Sequence, residues 1–140
     1  MKQWAIVPFF LCSLSMAVLA AAGQPKKHPL DLWLDGCTQK NPSTQGMNEC
    51  LAQAYAKWDQ ELNQAYRELL SRLDETSKGA LRESQRAWIA FRDREFHLLD
   101  KLYGSMEGTM YGTMRLADRV DLIKRRTLEL QSYADVLNSR

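Results

Sequence analysis

Gln85, Arg92 and Glu95 are the residues of this chain whose types and spacing raise a chemical question. At 100° per residue on a helix, Leu81, Trp88, Phe91, Leu98, Leu99 and Leu102 fall on one apolar face. Arg82, Glu83, Arg86, Asp93, Arg94, His97, Asp100 and Lys101 fall on the opposite one. An amide, a guanidinium and a carboxylate break this rule by lying inside the apolar sector. Burying such a group without a partner costs roughly 2–7 kcal/mol when it is neutral and more when it is charged. Glu95, on the core-facing side, is the one carboxylate that qualifies as an acid–base candidate. Arg92, three residues earlier, is expected to hold it ionised and so unfit as a general acid at neutral pH. The three residues therefore read as a structural polar seam that sets the register between helices.

The other reactive groups stand alone. His28 falls in a Pro- and Gly-rich stretch, and His97 falls on the polar side of the same helix, so neither is placed as a base beside a nucleophile. No Ser, Thr or Cys has an activating neighbour, and no glycine-rich phosphate loop follows a strand. No catalytic residue, metal ligand or cofactor is assigned, and the chain is not expected to be an enzyme.

The elements that must position the seam follow from the rest of the chain. Residues 1–22 read as a signal peptide: Lys2, an apolar run, then the small residues Ala20, Ala21 and Ala22. The apolar run is short for a spanning helix, which needs about 20 residues. Cys12, within that run, lacks the small-residue context of a lipoprotein cleavage site. The protein is thus expected in the periplasm or outside the cell, with no stable membrane insertion after cleavage. In such a compartment Cys37 and Cys50 are expected to form a disulfide, worth on the order of 2–4 kcal/mol. Two lone thiols without CxxC spacing make a poor zinc site.

Residues 23–46, with Pro25, Pro29, Pro42, Gly36 and Gly46, are expected to form an arm rather than a long helix. Its apolar run of Leu30, Leu32, Trp33 and Leu34 is expected to pack on the bundle. The helical domain spans residues 47–140. In its first helix Met47, Leu51, Tyr55, Trp58, Leu62, Ala65, Tyr66, Leu69 and Leu73 recur at steps of three and four. The second runs from about Ser77 to Tyr103, capped by Thr76 or Ser77 and stopped at Gly104. The third, capped by Thr109, carries Leu116, Val120, Ile123, Thr127, Leu130, Ala134 and Leu137. Lys124 and Arg125 read as a solvated face, with Asp121 and Arg125 spaced for a surface ion pair. No stretch shows the alternation of a strand, so the fold class is all-α: an antiparallel, up-down-up three-helix bundle with a disulfide-stapled arm.

Without Lys2 the chain holds 18 basic against 17 acidic residues. Near-neutrality argues against a nucleic-acid partner. It leaves the oligomeric state open.

Several of these residues together resemble a known family. Cys37, Cys50, the LNxxY run with Asn63 and Tyr66, and the QRAWIAFRD run with Gln85, Trp88, Arg92 and Asp93 carry the likeness, together with Gly108-Thr109 and the closing R-T-x-E-L from Arg126. This pattern resembles the lysozyme-inhibitor LprI-like N-terminal domain family, which includes the YecT-like proteins. The resemblance implies a small exported helical protein and a protein partner of the lysozyme-type glycosidase class. Typical members carry a second cysteine pair. Here Phe96 stands near the first of those places, and no cysteine lies between Gly108 and Arg126. If the protein inhibits a glycosidase, a steric plug is expected, formed by Gly104, Ser105, Met106 and Glu107 or by residues 30–36 around Trp33. The alternative expectation is an envelope scaffold protein that inhibits nothing.

Overall fold

The computed structural model describes residues 27–139; the expected signal segment, with Cys12, lies outside the described residues. Among the described residues there are four α-helices and no strand: α1 Pro29–Lys40, α2 Thr44–Arg72, α3 Glu75–Gly104 and α4 Thr109–Asn138. The three-helix expectation is corrected by α1, a short helix of 12 residues inside the stretch expected as an arm. Pro29 does not oppose it, because a proline in the first turn lacks only an N–H that would be unpaired there. His28 Nδ1 accepts from the Leu30 amide at 3.1 Å and caps the helix start. Asn41 and Pro42 then end it.

Local capping sets the remaining boundaries. Ser43 Oγ accepts from the Gly46 amide at 3.0 Å, so α2 begins before the expected Met47. A Cβ on Gly46 would lie 2.7 Å from Cβ of Asn41, so the α1–α2 corner needs a residue without a side chain there. Asp74, rather than Thr76 or Ser77, caps α3 by accepting from the Ser77 amide at 2.8 Å. That bond holds the Asp74 carboxyl below its ordinary range. Gly108, at φ 115°, lets the chain enter α4 with no side-chain cap from Thr109.

α2 and α4 run parallel and side by side. Thr113 donates to Asn48 at one end (2.7 Å), and Arg72 donates to Asn138 at the other. Between them Leu51, Ala54, Trp58, Leu62, Ala65 and Leu69 pack against Val120, Ile123, Leu130 and Ala134. Thr127 is fully buried in this interface and donates to its own helix at Ile123. The Cys37–Cys50 disulfide ties α1 to α2. His28 stacks on Trp58 at 4.4 Å, and Lys124 pairs with Asp31 at 2.7 Å. Lys124 is therefore half-buried against α1 instead of lying on a solvated face, while Arg125 pairs with Asp121 at 3.0 Å in solvent.

α3 runs antiparallel to α4 and contributes one side chain, Leu81, to the buried core. Its rotation departs from the expected one. Trp88 and Leu99 are partly buried, but Phe91, Leu98 and Leu102 are 48%, 54% and 46% exposed. The helix turns its polar-containing stripe to α4 and leaves these three outside.

Candidate functional site

α4 uses a different set of residues to meet α3 from the set that meets α2. Arg115, Arg119, Leu122 and Arg126 recur at steps of four, three and four, which places them in one row. α3 offers Gln85, Trp88, Arg92, Phe96, Asp100 and Tyr103 in return. At the far end of the pair, Arg126 is only 7% exposed. It donates from Nε to Gln85 at 3.1 Å, from Nη2 to Ser84 at 3.1 Å and from Nη1 to Glu129 at 2.6 Å. Its guanidinium also lies 5.9 Å from the Trp88 ring.

The seam continues as alternating cations and rings. Arg92 lies 5.7 Å from the Trp88 ring and 5.9 Å from the Phe96 ring, and Arg119 lies 4.8 Å from the same Phe96 ring. Each desolvated cation–ring contact contributes about 0.5–2 kcal/mol. Asp100 then accepts from Arg119 at 2.6 Å and Arg115 at 3.2 Å, and the Tyr103 hydroxyl donates to Asp118 at 2.5 Å. Phe96 also meets Tyr55 of α2, ring to ring at 6.1 Å, which connects the seam to the main core.

The electrostatics match this geometry. The Arg126 hydrogen bond holds the Glu129 carboxyl below its ordinary range. The Tyr133 hydroxyl, which donates to the same carboxylate, is pushed up by that bond. Tyr103 is raised by its bond to Asp118, and Tyr55 is raised by burial.

Of the expected seam residues, the structure brings Gln85 and Arg92 to the α3–α4 contact. It does not pair Arg92 with Glu95. Arg92 bends over Trp88 and Phe96 and donates to the adjacent Asp93 at 2.7 and 2.9 Å. The Arg92–Glu95 ion pair inferred from spacing is thereby corrected: the rings draw the guanidinium toward Asp93. Among the other motif residues, Tyr66 packs against the core. Asn63 is exposed and donates to the Asp59 carbonyl of its own helix at 2.8 Å. Asp100, expected on the polar face, instead accepts from Arg119 and Arg115 at the α3–α4 contact, and the four-three-four row on α4 is the sequence signal for these arginines.

The two expected plugs differ in accessibility. Trp33 is half-buried, with the Lys57 ammonium 4.8 Å from its ring. Gly104, Ser105, Met106 and Glu107 are all exposed at the α3–α4 end of the bundle. Leu102, Met106, Met110 and Met114 place exposed apolar side chains on and around that loop. A shallow groove of about 640 Å³ opens nearby between the first turns of α2 and α4, lined by Thr44, Gln45, Asn48, Glu49, Ala52 and Thr109. Among the described residues no cluster of His, Cys, Asp and Glu is placed to hold a metal ion, and no helix is long and apolar enough to cross a membrane.

A family model described as lysozyme inhibitor LprI matches residues 36–130, a span that takes in both bridge cysteines and the whole arginine–aromatic seam. The chain belongs to the LprI family. An uncharacterized protein of Rhizobium meliloti (strain 1021) is 29% identical over 110 residues, which cover 69% of this chain and 78% of that relative. A crystallised uncharacterized protein from Burkholderia thailandensis shares the fold at a TM-score of 0.74 and 30% identity. That likeness covers 80% of this chain and 56% of the other, so this LprI-family chain spans a little over half the length of its crystallised relative.

Proposed function

We propose that this LprI-family protein is an exported binding protein that blocks a lysozyme-type glycosidase by steric occlusion and carries out no bond chemistry of its own. The observation that carries the reading is the family match over residues 36–130. The exposed loop of Gly104, Ser105, Met106 and Glu107 supports it, because a narrow tip flanked by the exposed Leu102 and Met110 suits a concave cleft. Glycosidase clefts work with two carboxylates flanking the scissile bond, and filling that space excludes the sugar. Met106 and Met110 would supply adaptable apolar contact. The seam then acts as a positioning device: it holds α3 against α4, and the loop between them inherits that rigidity. The Cys37–Cys50 bridge is consistent with an oxidising compartment outside the cytoplasm.

Charge favours a second reading. From Lys101 onward there are seven basic and five acidic residues, the wrong sign for steering toward a basic enzyme. An envelope scaffold protein with a different partner fits that surface equally well. The two readings separate in one assay, in which the purified protein is mixed with lysozymes of several types and the clearing of bacterial cell walls is followed. Protection at micromolar excess, lost on Met106→Glu and changing little with salt, is the expected result. No protection against any lysozyme type leaves the scaffold reading.

A further inference from the structure

α3 meets α4 with one edge and leaves the other bare. Along the bare edge stand Ala80, Ser84, Ala87, Phe91, Arg94, Leu98, Lys101 and Ser105, all exposed, at alternating steps of four and three. That spacing is a coiled-coil seam. Within the fold only Ser84 of this row is engaged, by the Arg126 guanidinium at 3.1 Å, since Gln85, Trp88 and Arg92 occupy the rest of the contact with α4. The row is also uneven along its length: Ala80, Ser84 and Ala87 are small, whereas Phe91, Arg94, Leu98 and Lys101 are large.

We propose that this edge is the interface of a symmetric homodimer, in which two copies pack α3 against α3 antiparallel about the midpoint between Arg92 and Asp93. Positions equidistant from that midpoint pair Ala80 with Ser105, Ser84 with Lys101, Ala87 with Leu98 and Phe91 with Arg94. Leu98 and Lys101 of one copy then meet the small Ala87 and Ser84 of the other, and Phe91 lies under the second copy's Arg94 guanidinium. A parallel arrangement would instead stack Arg94 on Arg94 and leave Ala87 facing Ala87 over a void. Charge gives the same answer. Glu83 flanks the row on the side toward which Lys101 leans, and the antiparallel register brings Glu83 of each copy within one residue of the level of Lys101 on the other. A two-fold axis repeats every such contact. A strip about 38 Å long and about 10 Å wide on each copy buries on the order of 800 Å² in all, less than a stable dimer needs, so the association is a weak, reversible one.

This inference is independent of the glycosidase reading, and its test is the oligomeric state. Sedimentation equilibrium of the protein, as the cell matures it, should show mass rising toward two protomers across the micromolar range. Leu98→Glu, on an exposed position that leaves helicity intact by circular dichroism, should hold it monomeric. Glu83→Lys should weaken association about tenfold, and adding Lys101→Glu should restore it. Ala87→Cys protein mixed with Leu98→Cys protein should form a mixed disulfide, whereas Ala87→Cys protein alone should not cross-link to itself. A monomer at all concentrations, a dimer indifferent to Leu98→Glu, or self-cross-linking of Ala87→Cys would each overturn the proposal.

Discussion

α4 is held from two sides by opposite means. Against α2 it buries Val120, Ile123, Leu130 and Ala134 in an apolar interface where Trp58 has no exposed surface. Against α3 it presents three arginines to two rings, an amide, a hydroxyl and a carboxylate. The first contact is non-directional and scales with buried area. The second depends on angle and distance, because a guanidinium donates only along its own plane. The α2–α4 pair therefore carries most of the stability, and the α3–α4 pair fixes how far α3 is rotated and slid.

The sharpest test of that division lies in the dry interface. Trp58→Ala removes the largest fully buried side chain and should cost about 3–5 kcal/mol by denaturant unfolding, in line with large-to-small core changes. A loss below about 1 kcal/mol would mean that the α2–α4 contact is not the principal source of stability.

Arg126→Ala should come next, at about 2–3 kcal/mol, because it strands the partners Gln85 and Ser84 and frees Glu129. The informative companion is Arg126→Met, which keeps the volume. If directional bonds set the position of α3, Met should recover stability but not the slow amide exchange of residues 81–100. Recovery of both would reduce the seam to ordinary packing.

Acid should loosen the seam before the core. The Glu129 carboxyl is held low by Arg126, so its contribution is fully present above the ordinary carboxylate range and is lost as pH falls through the depressed value. Tyr103 behaves in the opposite sense. Its raised hydroxyl contributes fully below its unfolded value of about 10, and that contribution disappears as pH rises beyond it. Amide exchange followed against pH should show α3 opening at both limits while α2 and α4 stay protected. The smallest expected effect is Arg94→Ala, on the exposed side of α3, at under about 0.5 kcal/mol.

Much of this architecture can be read in the order of the residues. The apolar steps of three and four in α2 and α4 name the side chains that meet in the main core, because a helix repeats every 3.6 residues wherever it lies. α1 was harder to see, since Pro29 and Gly36 look like breakers until Pro29 is found in the first turn. α3 is legible only in part. Its apolar residues span too wide an arc to choose among, and periodicity alone places Phe91, Leu98 and Leu102 in a core that does not receive them. Spacing alone pairs Arg92 with Glu95, because it cannot weigh Trp88 and Phe96 as rivals for the guanidinium.

The sequence by itself determined the three long helices, their direction, the Cys37–Cys50 pairing and family membership, all of which rest on local periodicity or on which residues exist. Only the tertiary structure decided the rotation of α3, the partners of Arg92, Arg119 and Arg126, and the exposure of Phe91, Leu98 and Leu102. Those outcomes depend on which face of α4 remains once α2 has taken its share. That is a competition between surfaces distant in the chain, and no local pattern records its result.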